Sequence, residues 1–391
     1  MTAAVGWSCA GDAEQAGAEA GHRALTRLQH CPEAAIAFGC SWFDQAALLG
    51  GLRSTVGHIP LIGGSTAGEI TPEGPRTHSC VVLLIASEGG AWSVGAGERI
   101  DRSPRGAGQQ AARAALRDFH GTPRTGFLLV GDGLVTNFAD VMRGLQEVLG
   151  TSSLIAGGMA ADDLRFTTTY QYANDEVISG GVVGMLIGGT ARIGVGIEHG
   201  FAPISRPRRI TRAQGSVLCE LDHQPAASVY EEYFGTELVN RMRREGLARE
   251  GIAYPVGMRI ASSDPWLLRN VVAFRDDGAL ACSGEILEGA WLQLMIGSRQ
   301  LVVEAAQRAA QQAVRSLNRV AGVLVCDSVA RRKLLGQRYA ALEVAMIRRT
   351  VGPSIPLAGC YTYGEQGPVG HSPLVATAPQ TGAVLIIALG T

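Results

Sequence analysis

A chain of 391 residues is long enough for two domains, each with its own core. With 46% hydrophobic and 18% charged residues it has the composition of an ordinary globular protein. A net charge of −1 leaves no electrostatic case for nucleic acid or an anionic membrane as a partner.

Residues 35–39 read as a short apolar strand and 43–53 as a helix, with Ser41 placed to cap it. A second strand at 59–63 runs into a glycine-rich loop. The apolar runs 81–85 and 94–98 read as a hairpin around Glu88-Gly89-Gly90, and 106–120 as a helix. The strand–helix–strand order then returns as 127–130, 138–149 and 154–156, which leads into Gly157-Gly158-Met159-Ala160-Ala161-Asp162. A second hairpin is expected from 182–187 to 193–198 around Gly188-Gly189-Thr190. Two prolines and a charge cluster at 203–209 mark a domain boundary, giving domains at 1–205 and 206–391. Beyond a hairpin at Asp276-Asp277-Gly278 and a helix at 301–318, the order recurs as 323–326, 331–348 and 355–357. Strand, crossover helix and strand imply parallel neighbours. Added hairpins make the sheets mixed, so the fold class is α/β of the mixed α+β kind, in two domains. The 52 glycines are scattered and are expected in tight turns.

The sixteen residues from Ile59 return from Ile355, identical at nine positions. The shared residues are loop formers, which gives two candidate ligand loops. One carries Gly63, Gly64, Ser65, Thr66, Gly68 and Glu69; the other carries Gly359, Cys360, Tyr361, Tyr363 and Glu365. Both start at the carboxyl ends of strands, where ligands of parallel sheets gather. Glycines allow backbone N–H groups close to a ligand, and the hydroxyls and glutamates add polar contacts. A turn alone explains the Gly, Thr and Glu, but no turn requires Tyr361 and Tyr363. Thr71-Pro72-Glu73-Gly74-Pro75 breaks any helix after the first loop and no lysine follows, so a phosphate cradle is not expected. Asp132 and Asp327, each after a first strand, read as helix caps.

Eight cysteines without a Cys-x-x-Cys pair read as reduced thiols, which rules against a structural zinc or a covalent haem. No Gly-x-Ser-x-Gly elbow is present, so we expect no enzyme; the rival is a thiol nucleophile at Cys40 or Cys360. Lys333 is the only lysine, which fits an arginine-rich genomic composition. His371, His78 and His199 are the histidines to weigh as metal ligands, although each sits in a loop or at a strand end.

Residues 60–70, Pro-Leu-Ile-Gly-Gly-Ser-Thr-Ala-Gly-Glu-Ile, resemble the signature of the N-terminal FIST domain (F-box and intracellular signal transduction). His199-Gly200-Phe201-Ala202-Pro203, Ile210-Thr211-Arg212-Ala213 and Val229-Tyr230-Glu231-Glu232-Tyr233 resemble the family's middle. Residues 359–365, Gly-Cys-Tyr-Thr-Tyr-Gly-Glu, resemble the hallmark of its C-terminal domain. The resemblance implies a cytoplasmic sensory module that binds a small ligand and reports to a signalling partner, a histidine kinase or a cyclic-di-GMP enzyme. A freestanding module of this kind resembles bacterial haem proteins that sense nitric oxide, and haem is the cofactor that likeness implies. A ligand-free interaction scaffold is the remaining alternative.

Overall fold

The computed structural model describes residues 1–135, 137–245, 253–368 and 378–391. Its plan is a single unit used three times. In the first copy, strand Thr2–Ser8 leads through helix Ala13–Arg27 to strand Ala34–Cys40, then through helix Gln45–Val56 to strand Leu61–Thr66. A short excursion, Glu69–Thr71 and Gly74–Arg76, precedes the return strand Cys80–Ala86. The second copy runs from strand Gly90–Gly97 to return strand Val182–Gly189. The third begins with Arg192–Glu198, resumes at helix Arg299–Arg315 and ends with Val384–Gly390. Between its first strand and first helix lies a separate nine-stranded sheet, residues 201–297, with helices Ser228–Phe234 and Thr236–Glu245 on it.

The strand–helix–strand units are parallel, as their order requires: Ala35 pairs with Leu61, Phe127 with Ile155, and Val323 with Leu357. Helix Phe138–Leu149 falls where the pattern places it. Helix 43–53 is observed as Gln45–Val56, and its cap is Asp44, not Ser41. Ser328, not Asp327, caps helix Val329–Val351 by accepting from the Ala330 N–H. Asp132 accepts from Leu134 N and Thr169 Oγ1 several residues before its helix begins.

The two expected hairpins are not hairpins. Cys80–Ala86 pairs with Thr2–Ser8 and Ala34–Cys40, whereas Gly90–Gly97 pairs with Val182–Gly189 in the next sheet. Val182–Gly189 and Arg192–Glu198 are separated in the same way. Each glycine turn therefore hands the chain from one copy to the next. The return strands are apolar at nearly every position because both their faces are covered. One face of each sheet meets the other two in a central core that includes Val5, Ile36, Leu83, Leu128, Met185, Leu324 and Ile387. The opposite faces carry the three helix pairs.

Many glycines serve this packing, not turns. A Cβ on Gly6 would lie 2.0 Å from Ala20 O, on Gly95 2.1 Å from Ala111 O, and on Gly196 1.9 Å from Ala309 O. These are equivalent positions in the three first strands, where a helix backbone rests directly on the sheet.

The excursions lock the copies together. The first copy's Glu69–Thr71 pairs with the third copy's strand Leu357–Thr362. The third copy's Glu365–Gly367 pairs with the second copy's Ile155–Met159, and the second copy's Gln171–Ala173 pairs with the first copy's Leu61–Thr66. The three exchanges close a ring.

Candidate functional site

The two repeated loops do meet, through backbone pairing. Ala67 N donates to Tyr361 O at 3.0 Å, and Tyr361 N to Gly68 O at 2.8 Å. In the first loop, Thr66 Oγ1 donates to Glu69 Oε1, and Ser79 donates to Glu69 Oε2 through both its N–H and its hydroxyl. In the second, Thr362 Oγ1 donates to Glu365 Oε1 at 2.6 Å and Ala383 N to Oε2 at 3.1 Å. Ser79 and Ala383 each immediately precede a return strand, so the repeated Thr-x-x-Glu is a clasp that ties an excursion to that strand. Both carboxyl groups are completely buried. Burial pushes Glu69 up to about 7 against the pull of its Ser79 and Thr66 hydrogen bonds, and pushes Glu365 up to about 8.

Ser65 bridges two copies, donating to Ala161 O at 2.8 Å and accepting from Tyr170 N at 2.9 Å. Gly63 and Gly359 allow close strand approach, since a Cβ would meet Ala37 O and Val325 O. Gly64 likewise faces Tyr170 O. The space that Ser65, Cys360 and Thr362 share with the central core is about 10 Å³, room for one water at most. The carboxyls of Glu69 and Glu365 are taken up by the clasps, and Ser65 by its bonds to Ala161 and Tyr170.

A larger space opens on the outer side of the ring. A cleft of about 640 Å³ is lined by Ala67, Pro75, Arg76 and Thr77 of the first copy, and by Asp163 and Leu164 of the second. The third copy supplies Val329, Arg332, Lys333, Gly336, Gln337 and Ala340. All three copies thus contribute. The volume lies within the range of small-molecule sites. The loop residues singled out from sequence form the frame behind this wall. The Arg332 guanidinium sits 4.6 Å from the centre of the buried Tyr361 ring, donates to Ala67 O and packs against Gly68. Tyr361 Oη has no hydrogen-bond partner among the described residues.

Two features of the cleft were not legible in sequence. Helix Val329–Val351 breaks at Gly336, with φ 67° and ψ 175°, a conformation close to glycine-only. Residues 329–335 are thus a separate short segment. On its inner side Arg331 is completely buried, bonded to Asp327 Oδ1 at 2.7 Å, His199 O at 2.7 Å and Val302 O at 3.0 Å, and paired with Glu343. The second feature is the loop after Asp162, where Asp163, Leu164 and Phe166 all have positive φ, at 56°, 64° and 53°. Such angles are uncommon outside glycine and, in a leucine, mark strain. The Asp162 carboxylate holds the loop, accepting from Phe166 N, Thr167 N and Thr168 N and from Tyr363 Oη. Burial opposes its ionisation, yet the Tyr363 hydroxyl and these N–H groups keep it below its ordinary range. Tyr363 stacks on Phe166 with centroids 5.0 Å apart. The only hints in sequence were two adjacent aspartates and an aromatic outside any strand.

The thiols are poorly placed for nucleophilic chemistry. Burial pushes Cys40 up to about 12, with its sulfur 3.7 Å from Asp163 Oδ2, and Cys360 is raised well above its ordinary value by burial and the neighbouring Cys326. His78 is exposed and His371 lies outside the described residues. His199 accepts from Phe201 N through Nδ1 at 2.9 Å, and burial together with Arg331 and Arg308 lowers it to about 4. Neither His78 nor His199 lines the cleft. Among the described residues no histidine lines the cleft. No helix among the described residues is long and apolar enough to cross a membrane.

Comparison with known proteins sets this geometry in a family. An uncharacterized protein of Methanocaldococcus jannaschii is 26% identical over 257 residues, 61% of this chain and 49% of that protein, so the chain spans about half of that relative. An uncharacterized protein of Mycobacterium tuberculosis is 25% identical over 400 residues, covering 96% of this chain and 97% of its own length. Among solved structures, cyanuric acid hydrolase from A. caulinodans aligns over 100% of this chain and 99% of its own at 12% identity and a TM-score of 0.38, too distant to carry an argument. The FIST N domain matches residues 33–224 and the FIST C domain residues 226–368, and the chain belongs to the FIST family of signal-transduction sensory domains.

Proposed function

We propose that this protein is a sensory module whose small-molecule ligand sits in the cleft where the three copies meet. One observation carries the reading: a single cleft is bounded by a strained loop on one side and, on the other, by a helical segment detached at Gly336. Strained or hinge-bounded walls are what a ligand can reset by binding one arrangement better than another. Residues 329–335 reach from the cleft to the inserted sheet, because Leu335 packs with Phe201, Leu268 and Met295. Occupancy of the cleft would be felt there, on a surface from which a partner histidine kinase or cyclic-di-GMP enzyme could read it. We read the role as binding; the rival thiol chemistry is disfavoured because burial raises both Cys40 and Cys360 away from the reactive thiolate.

The test is a thermal-shift screen of the whole chain against small metabolites. A true ligand raises the melting temperature, because it binds the native state alone. The shift should disappear in Arg332→Ala/Lys333→Ala and persist in Glu69→Gln. A shift that survives the first variant, or no shift with any compound, sinks the reading. The haem and nitric-oxide version is separated by an absorption spectrum, which then shows a Soret band that moves on adding nitric oxide.

A further inference from the structure

We infer that the cleft takes an anion: a small molecule carrying a carboxylate or phosphate group, gripped by Arg332 and Lys333 with Arg76 opposite. The inference rests on the cleft being the ligand site. Three consecutive cations, Arg331, Arg332 and Lys333, stand on the segment that forms one wall. Arg331 turns inward and is matched by Asp327 and Glu343. Among the described residues no carboxylate lies within ion-pair distance of Arg332 or Lys333, whereas Arg23, Arg105, Arg143, Arg212 and Arg243 all have one.

Arg332 is also pre-set. Its contacts with the Tyr361 ring and Ala67 O fix the guanidinium at the cleft wall, so little side-chain freedom remains to be lost on binding. From the first copy Arg76 reaches the same space, shared with Glu73 at 2.9 Å, and Thr77 adds a hydroxyl. Asp163 is the one carboxylate of the wall, and its Oδ2 already accepts from Ser41 Oγ at 2.8 Å. Two uncompensated cations and a third shared one, facing a concave space, form a preorganised fork for an oxyanion. The anion would also bridge the first and third copies across the cleft.

Because Lys333 is the only lysine, acylation of its ε-amine reports on this one place. The full chain is treated with uncharged N-hydroxysuccinimidyl acetate at constant ionic strength, with added Nα-acetyl-lysine amide as reference amine. Pyrophosphate and citrate serve as the phosphate and carboxylate probes, and sorbitol as the uncharged control. At least one anion should slow Lys333 acetylation severalfold without slowing the reference amine, and sorbitol should not. Arg332→Gln and Arg76→Gln should each weaken protection about tenfold. Lys333→Gln, at an exposed position, should lower calorimetric affinity for the same anion while leaving the fold intact, which guards against misfolding of the arginine variants. Absence of protection by both anions, or protection unchanged in Arg332→Gln, overturns the inference. If an uncharged metabolite protects Lys333 and the anions do not, the anion assignment falls while the cleft stands as the ligand site. If nothing protects and nothing shifts the melting temperature, both fall.

Discussion

The clasped loops of the first and third copies and the loop of the second copy begin at equivalent strand ends and have opposite characters. In the first pair, a hydroxyl and a buried glutamate close a short turn, and the excursion continues the neighbouring sheet within a few residues. In the second copy, Asp162 gathers three backbone N–H groups around a longer loop with three left-handed non-glycine residues before its excursion begins at Gln171. What the chain repeats holds the ring together, and where one copy departs from the others the wall of the cleft is built. Repetition in sequence is therefore a guide to scaffold here, and divergence a guide to site.

The sharpest way to break that contrast is to remove a clasp. Glu69→Ala leaves the Thr66 hydroxyl and the Ser79 N–H and hydroxyl buried without an acceptor. At about 1–3 kcal/mol for each stranded group, some of it relieved by rearrangement, the loss of stability should be roughly 3–5 kcal/mol in urea denaturation. Glu365→Ala strands the Ala383 N–H, while the Thr362 hydroxyl can still reach Asp327 O, so its cost should be smaller, about 1–3 kcal/mol. A cost below about 1 kcal/mol in either would mean the clasp is not structural.

A gentler probe uses pH. Both glutamates have native values raised above the ordinary 4.5, so the folded state holds their protons more tightly than the unfolded chain does. Their contribution is complete below about 4.5 and is lost as pH rises through about 7 and about 8. His199 has the opposite sign: held neutral down to about 4, it adds stability as pH rises from 4 towards 6.5. The glutamate effect is therefore cleanest above 6.5, where stability should fall towards pH 8. Glu69→Gln/Glu365→Gln, which mimics the protonated pair, should flatten that fall, by on the order of a few kcal/mol. An unchanged slope in the double variant would show that these carboxyls do not bind protons on folding.

Much of the frame was legible in the chain and the cleft was not, for physical reasons. Strand–helix–strand order dictates parallel pairing, and Ile59-Pro60-Leu61 against Ile355-Pro356-Leu357 exposed the repeat. The return strands misled because a glycine turn between two apolar runs is the same signal for a hairpin and for passage to a new sheet; only the pairing partners, Thr2–Ser8 and Arg124–Gly131, distinguish them. Thr66 and Glu69 were visible as a pair, but a carboxylate that closes a turn and one that holds a ligand look alike until burial is known. Gly336 lies inside an unbroken helical pattern, so its φ of 67° had no local signature. Leu164 donates its N–H to Tyr363 Oη and Asp163 accepts from Ser41 Oγ, partners far away in the chain that no local pattern reveals.

The smallest expected effect tests the loop itself. Leu164 holds φ 64° while its N–H donates to Tyr363 Oη at 2.7 Å and its side chain lines the cleft. Leu164→Gly removes the Cβ that makes this angle costly but enlarges the conformational freedom of the unfolded chain. The two terms nearly cancel, leaving a stability change within about 1 kcal/mol of zero. Ligand affinity should respond more than stability, because the wall loses both an apolar contact and a fixed backbone. If stability drops by several kcal/mol instead, Leu164 is a core residue of the scaffold, and the division between repeated frame and diverged site fails at the position chosen to define it.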